Sequence, residues 1–371
     1  MRALLLGLLL GGCYAAHRAP GDPVPCAEAP PLCTARPAPC APRALVAAVC
    51  EEEVWRCPAG AAPYAPPWAD DVCLPLAGAG PTMVDGVHDA PVALPLGDRC
   101  VWAVPSEDGT ALGVMDVGPS CAALGPLAPL EVAAAAGFDY LAVQQALELP
   151  GGPAALVRGW RFDALAPFGV RAVGAGIAPI DGAGLGSPLP WLFGEDTDLG
   201  DAAVLDGGFV YAYGCPGAPR WLVEDCVVGR APVERAREPA AWSILGDGGW
   251  GAGAPVVVFG SGPHRGPVLA DPRGGFVHVY AAGFGGSVEI ARSGRPEGPW
   301  SGPTTLLACE LPAADPNSYC AGPIVHLELF DPLRPDEIVV SYAIGTTAPD
   351  GPARRAADPL AYWPRMVRVR W

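Results

Sequence analysis

The chain has 371 residues, enough for one large domain and a smaller accessory segment. Hydrophobic residues make up 51% of it, while 49 glycines and 46 prolines supply about a quarter, a combination that excludes a disordered chain and suits strands broken by many tight turns. Lysine is absent and the formal net charge is −16, which argues against a nucleic-acid or anionic-membrane partner, because binding phosphate needs a basic patch to release its counterions.

Residues 1–12 hold Arg2 and a leucine/glycine run that ends at Leu10-Gly11-Gly12-Cys13, too short to span a bilayer. This resembles a bacterial lipoprotein signal peptide. The resemblance implies cleavage before Cys13, a lipid on Cys13, and a place in the cell envelope, at the outer membrane or cell surface, with the membrane touched only through the anchor. An ordinary signal peptide and a secreted protein are the alternative. Setting Cys13 aside leaves twelve of the thirteen cysteines, an even number, and no CxxC or Cys/His cluster has zinc spacing, so disulfides are the expected use.

Residues 13–43 are rich in alanine and proline and read as a tether. Residues 44–80 form a Cys-rich segment whose disulfide framework starts at Cys26, with Cys33, Cys40, Cys50, Cys57 and Cys73 as the other members and their pairing open. Arg43 to Glu53 carries a brief helical pattern, and Glu51-Glu52-Glu53 reads as a solvated face. The six later cysteines are expected to pair with sequence neighbours: Cys100 with Cys121, Cys215 with Cys226, and Cys309 with Cys320. The second of these would staple the two strands of one hairpin.

Residues 81–371 are organised by a repeat. In GEDTDLGDAAVLDGGFVYAYGC (Gly194 to Cys215) an acidic loop leads into a small-residue strand, an Asp206-Gly207-Gly208 turn and an aromatic, β-branched strand. The pattern returns from Arg265 to Tyr280, from Ala321 to Tyr342 and, more loosely, from Asp89 to Val104. Glu131 to Leu149 fits either a helix or a strand-rich insertion, and residues 154–182 read as a degenerate repeat. The anchors Asp89, Asp201, Arg265 and Ala321 are separated by 112, 64 and 56 residues, so one further unit belongs in the first gap. Five units of four-stranded length predict an all-β fold, a five-bladed β-propeller preceded by the small Cys-rich segment, with a β-sandwich as the alternative.

DGGFVYAYGC, VEIARSGRPEGPW and VHLELFDPLRPDEIVVSYAIG, in that order, resemble the secreted propellers grouped as domain of unknown function 4185, which are similar in form to glycoside hydrolase family 43. The resemblance covers residues 81–371. It departs from the group's His-Pro-Glu-Leu run, where this chain has His326-Leu327-Glu328-Leu329. It implies a site at the central channel, a carbohydrate ligand, a monomer and no cofactor. The sequence itself puts acids before the repeat strands: Asp85 and Asp89 before one, Glu195, Asp196, Asp198 and Asp201 around another. Glycoside hydrolysis needs one protonated and one ionised carboxyl group. On this reading Asp89 is the base, Glu195 the acid and Asp201 a third carboxylate that tunes the acid, while Asp85, Arg265, His326 and Glu328 bind the sugar. The Glu195, Asp196, Asp198 cluster would also suit a structural calcium, although the DxDxDG pattern is missing. Trp160, Trp191, Trp250 and Trp300 suit sugar stacking or packing between blades.

Other chemistries lack their motifs, since GxSxG, HExxH, P-loop and sialidase Ser-x-Asp-x-Gly-x-x-Trp patterns do not occur. The competing role is a non-catalytic cell-surface binding or scaffold lipoprotein.

Overall fold

A computed structural model of the chain describes residues 24–35, 38, 40–64, 92–96, 99–104, 112–116, 128–132, 137–163, 165, 170–182, 184–194, 199–215, 225–259, 266–281, 283–362 and 365–371. Their regular structure is mainly β-strand, with one short α-helix, α1 (Gly351–Ala357), and a few 3-10 turns. Contacts divide the chain into two units: one containing residues 44–65 and the segment up to Arg36, the other containing 37–43 and 66–371.

The smaller unit holds two three-stranded sheets. β1 (Val24–Pro25), β4 (Val49–Glu51) and β5 (Val54–Arg56) make one, in the order β1-β5-β4. β2 (Cys33–Ala35), β3 (Ala44–Val46) and β6 (Ala61–Pro63) make the other, in the order β3-β2-β6. Among the described residues, strands are present from Val24 on, inside the stretch whose composition reads as tether. The helical pattern of Arg43 to Glu53 is corrected to a strand and a hairpin. Cys26–Cys50 and Cys33–Cys57 staple this unit, which has little core of its own.

The larger unit is a series of sheets in chain order. β7 (Val92–Leu96), β8 (Arg99–Val104), β9 (Leu112–Asp116) and β10 (Ala128–Val132) form consecutive antiparallel pairs in the first. β11 (Tyr140–Leu149), β12 (Gly152–Phe162) and β13 (Val170–Pro179) form the second, after which β14 (Gly184–Leu185) pairs parallel with β10. The third contains β15 (Leu199–Asp206), β16 (Phe209–Gly214), β17 (Val227–Pro232), β18 (Ser243–Gly246) and β19 (Gly249–Trp250). β20 (Val268–Ala270), β21 (Phe276–Ala281), β22 (Ser287–Ser293) and β23 (Thr304–Ala308) form the fourth. β24 (Ser318–Val325), β25 (Glu337–Thr346) and β26 (Arg365–Arg370) form the fifth.

The core lies between consecutive sheets, because strand alternation gives each sheet two apolar faces. Leu94 and Val101 of the first sheet pack on Val157 and Leu141 of the second. Leu156 on the opposite face of β12 packs on Leu199 and Val210 of the third sheet. Val204 and Tyr211 then meet Val268 and Phe276 of the fourth, and Val277 and Val288 meet Val340 and Tyr342 of the fifth. Each fully buried side chain of this size contributes about 2 kcal/mol. The first strands of the sheets lie side by side, β7 with β11, β11 with β15 and β15 with β20. Gln145 joins three of them, its amide donating to the Val268 carbonyl at 3.3 Å and accepting from the Ala203 N–H at 3.2 Å.

Cys215–Cys226 joins the ends of the paired strands β16 and β17, and Cys309–Cys320 is formed as well. The expected Cys100–Cys121 pair is corrected: Cys100 bonds Cys40, their Cα atoms 4.9 Å apart, because residues 37–43 fold into the larger unit. Cys121, Cys73 and Cys13 lie outside the described residues.

Candidate active site

The start of β15 is irregular for a reason written in its sequence. Leu199 pairs with Gly214 and Ala202 with Tyr213, so Gly200 and Asp201 are extra residues in a β-bulge. Gly200 has φ +112°, and a Cβ there would lie 2.4 Å from that of Ala175. Only glycine accommodates both the angle and the approach. The bulge takes Asp201 out of the ladder and sets it opposite Arg158 of β12.

Arg158 Nη2 lies 3.0 Å from Asp201 Oδ1, and the two side chains are only 2% and 10% exposed. Arg158 interrupts the apolar run Ala154-Ala155-Leu156-Val157, and burying a guanidinium in such a strand requires a carboxylate partner. The other carboxylate oxygen, Asp201 Oδ2, is buried and meets no hydrogen-bond donor among the described residues. Such an orphaned acceptor costs about 1–3 kcal/mol.

A second polar cluster joins the fifth sheet to the first. His326 follows β24 and its Nδ1 donates to Glu328 Oε1 at 2.7 Å, while Nε2 lies 2.7 Å from the Ser341 hydroxyl. The indole N–H of Trp102 on β8 donates to the same Glu328 oxygen at 2.8 Å, and the Trp102 and His326 ring centroids are 5.1 Å apart. His326 and Glu328 are 1% and 2% exposed. In this arrangement the two residues bind each other, Trp102 and Ser341, so the polar pair expected at the site is enclosed between the fifth sheet and the first.

The tryptophans divide by environment. A Cβ on Gly159 would lie 2.7 Å from Trp191, so that indole packs directly on the glycine backbone of the second sheet. Trp250 and Phe209 sandwich the Arg230 guanidinium at 4.1 and 4.5 Å. Trp300 packs on Phe259 and Tyr213. Trp160 differs, stacking on Tyr140, whose ring also meets Phe162, toward the end of β12.

Of the catalytic and sugar-binding side chains expected from sequence, Asp201, His326 and Glu328 are described, and they form two separate clusters. Asp85, Asp89, Glu195, Asp196, Asp198 and Arg265 lie outside the described residues. Arg158, Trp102, Ser341 and Gln145 were missed. Of these only Arg158 carries a local signal, as a lone charge in an apolar strand. Among the described residues no group of three His, Cys, Asp or Glu side chains is arranged to hold a metal, and no helix is long and apolar enough to cross a membrane. Elsewhere a cavity of about 400 Å³ is lined by Asp271, Arg273, Arg292, Arg370 and Trp371. Asp271 binds Arg273 and Arg292 at 2.7–2.9 Å, and Arg273 also donates to the Trp371 carbonyl, so these two arginines are already engaged.

No family model and no curated protein matches the chain. Solved structures do. A putative hydrolase from Bacteroides ovatus ATCC 8483 superposes with a TM-score of 0.51 at 15% identity, covering 76% of this chain and 85% of that one. A thermostable family-43 glycoside hydrolase gives 0.50 at 15% identity, covering 76% and 88%. An endo-arabinase from Bacteroides thetaiotaomicron VPI-5482 gives 0.43 at 13% identity, covering 78% and 95%. The first two show that the chain shares a fold with that putative hydrolase and with a family-43 glycoside hydrolase.

Proposed function

We propose that the five sheets of the larger unit are the blades of a five-bladed β-propeller, and that the protein is an exported, lipid-anchored glycoside hydrolase. The face-to-face cores between consecutive sheets and the Trp102–Glu328 bond from the first to the last support the closed ring. The observation that carries the chemistry is the bulge-borne Asp201, with a buried, unpartnered oxygen at the start of an innermost strand.

In this reading Glu195, four residues before β15, protonates the glycosidic oxygen as the carbon–oxygen bond breaks. Asp89, three residues before β7, takes the proton of the attacking water or attacks directly. Asp201, held by Arg158 and six residues after Glu195 in the chain, is the third carboxylate whose negative charge raises the acid's proton affinity. Asp85 and Arg265 bind hydroxyls, and the His326–Glu328 pair, bonded to Trp102, holds the first and fifth blades together. Export through residues 1–12 and anchoring at Cys13 are supported by the disulfides, which persist in oxidising compartments.

The test is a screen of chromogenic glycosides and neutral polysaccharides with the wild-type protein beside Asp89→Asn and Glu195→Gln. Turnover that falls by about 100-fold or more in both variants supports the hydrolase. The second reading, a catalytically silent binding or scaffold lipoprotein, is favoured by the enclosure of His326 and Glu328. Binding without turnover in the wild type would select it and overturn the enzyme.

A further inference from the structure

The last strands of the fourth and fifth sheets, β23 and β26, are in contact, and the cavity of about 400 Å³ is lined by both and by the turn that joins β20 to β21. Three arginines from three elements face it: Arg273 of the turn, Arg292 of β22 and Arg370 of β26. Among the described residues Asp271 is the one acidic side chain in its wall. In a chain with 39 acidic and 23 basic residues, this local excess of cations runs against the composition.

Asp271 is buried, and both of its oxygens are occupied. Oδ1 accepts from the Arg273 backbone N–H and from Nε at 2.9 Å, and Oδ2 accepts from Arg273 Nη2 at 2.8 Å and Arg292 Nη1 at 2.7 Å. Against the effect of burial, these bonds hold its carboxyl below the usual range, so it stays ionised and fixes two guanidiniums in place. They are oriented by it but not exhausted. A guanidinium has more N–H donors than one carboxylate oxygen uses, and Arg292, 39% exposed, gives the described residues a single bond, through Nη1. Arg370 is 81% exposed, and its Nε stands 3.8 Å from Asp336 and 4.0 Å from Glu337, too far for a hydrogen bond. Glu337 is shared with Arg334 and Arg368 at 3.5 and 3.7 Å. The Trp371 ring lies 4.7 Å from the Arg273 guanidinium, and its own N–H is held by the Pro335 carbonyl.

Guanidiniums only donate, so the occupant must bring acceptors and negative charge, and their planar fork matches a carboxylate or a phosphate. The volume is that of a small-molecule pocket, and Leu306 and Trp371 give it an apolar wall. We propose that this cavity binds a small organic oxyanion, its carboxylate or phosphate held by Arg292 and Arg370 and its body against Leu306 and Trp371. The site is independent of the hydrolase reading, because no residue of the third sheet, where Asp201 lies, lines the cavity.

The experiment is calorimetric titration of the full protein with inorganic phosphate, phenyl phosphate and phenylacetate, against sodium chloride at the same ionic strength. Wild type, Arg292→Gln, Arg370→Gln and Arg370→Lys are compared, with urea midpoints to establish that all are folded. Arg370 is so exposed that its replacement leaves the fold intact, and Asp271 keeps its bonds from Arg273 when Arg292 is replaced. At least one organic probe is expected to bind more tightly than inorganic phosphate, about 10-fold more weakly in either glutamine variant, and with a smaller loss in Arg370→Lys. The tighter of the two organic probes identifies the charged group as phosphate or carboxylate. Inorganic phosphate bound as tightly as both organic probes overturns the organic ligand. Heats no larger than those of sodium chloride, or equal affinity in wild type and both glutamine variants, overturn the site.

Discussion

Trp102 donates its indole N–H to Glu328 across 226 residues of chain, at 2.8 Å, and both side chains are buried. Glu328 also accepts from His326, so one carboxylate ties a strand of the first sheet to the turn that follows β24. Trp102→Phe keeps the ring and removes the donor, leaving the buried carboxylate one hydrogen bond short. The expected cost is about 1–3 kcal/mol, read as a lower urea midpoint with unchanged slope. Glu328→Ala, which also removes the carboxylate from His326 Nδ1 and leaves that ring only its Ser341 contact, is expected to cost about 3–5 kcal/mol. A Trp102→Phe protein as stable as wild type would show that the bond does not help hold the two sheets.

The disulfide map is a direct test of the chain's course. Non-reducing peptide mapping is expected to recover Cys40 linked to Cys100, and recovery of Cys100 with Cys121 would refute the arrangement described here. Cys215–Cys226 closes a loop of only 11 residues, so replacing both by serine is expected to cost about 2–3 kcal/mol, with the hairpin β16–β17 still formed by its backbone ladder.

Stability is expected to fall at both ends of the pH scale. The Thr346 and Tyr362 hydroxyls, the Asn317 amide and Arg354 hold the buried Asp315 carboxyl below its usual range, against the opposing effect of burial. Its contribution is complete above about pH 4, the unfolded value, and is lost as pH falls through the lower folded value. Burial, reinforced by Asp315, pushes the Tyr362 phenol up to about 12, and burial with Glu289 does the same for Tyr280. Below about pH 10 these tyrosines are protonated folded or unfolded. Between about pH 10 and 12 the unfolded chain releases protons that the folded one keeps, so stability declines as pH rises. Urea midpoints across pH should show Asp315→Asn flattening the acid limb and Tyr362→Phe the alkaline one. Unchanged limbs in both variants would refute the assignment.

How legible an element was depended on whether its turn chemistry was conventional. Gly207 and Gly208, with φ of 53° and 81°, make the tight turn between β15 and β16, and the Asp-Gly-Gly sequence announces it. Glu52 and Glu53 adopt the same positive angles, 52° and 64°, between β4 and β5, but two glutamates give no turn signal, so a helical pattern was read across that hairpin. Relieving this strain with Glu53→Gly is expected to stabilise the smaller unit by about 1 kcal/mol, and a lower melting temperature would contradict it. β11 stayed ambiguous between helix and strand because Gln144 is an extra residue between the paired Val143 and Gln145, and one bulge shifts the period-two pattern. The first and fifth sheets meet through side chains more than two hundred residues apart, which no local pattern encodes.

The Arg158–Asp201 pair was legible only by half, and it yields the sharpest separation of fold from function. Gly200→Ala must relax both a φ of +112° and a contact with Ala175, so it displaces Asp201 while leaving every charge in place. It is expected to destabilise by about 1–3 kcal/mol and to lower activity more than its stability loss explains. Arg158→Met leaves the Asp201 carboxylate buried without its cation, at a cost of about 3–5 kcal/mol. Arg158→Met combined with Asp201→Asn removes both charges, so most of that stability is expected to return while activity does not. Urea denaturation and glycan turnover on the three variants decide the matter. If the double variant regains activity along with stability, the pair is a structural ion pair and the catalytic carboxylates must be sought elsewhere in the molecule.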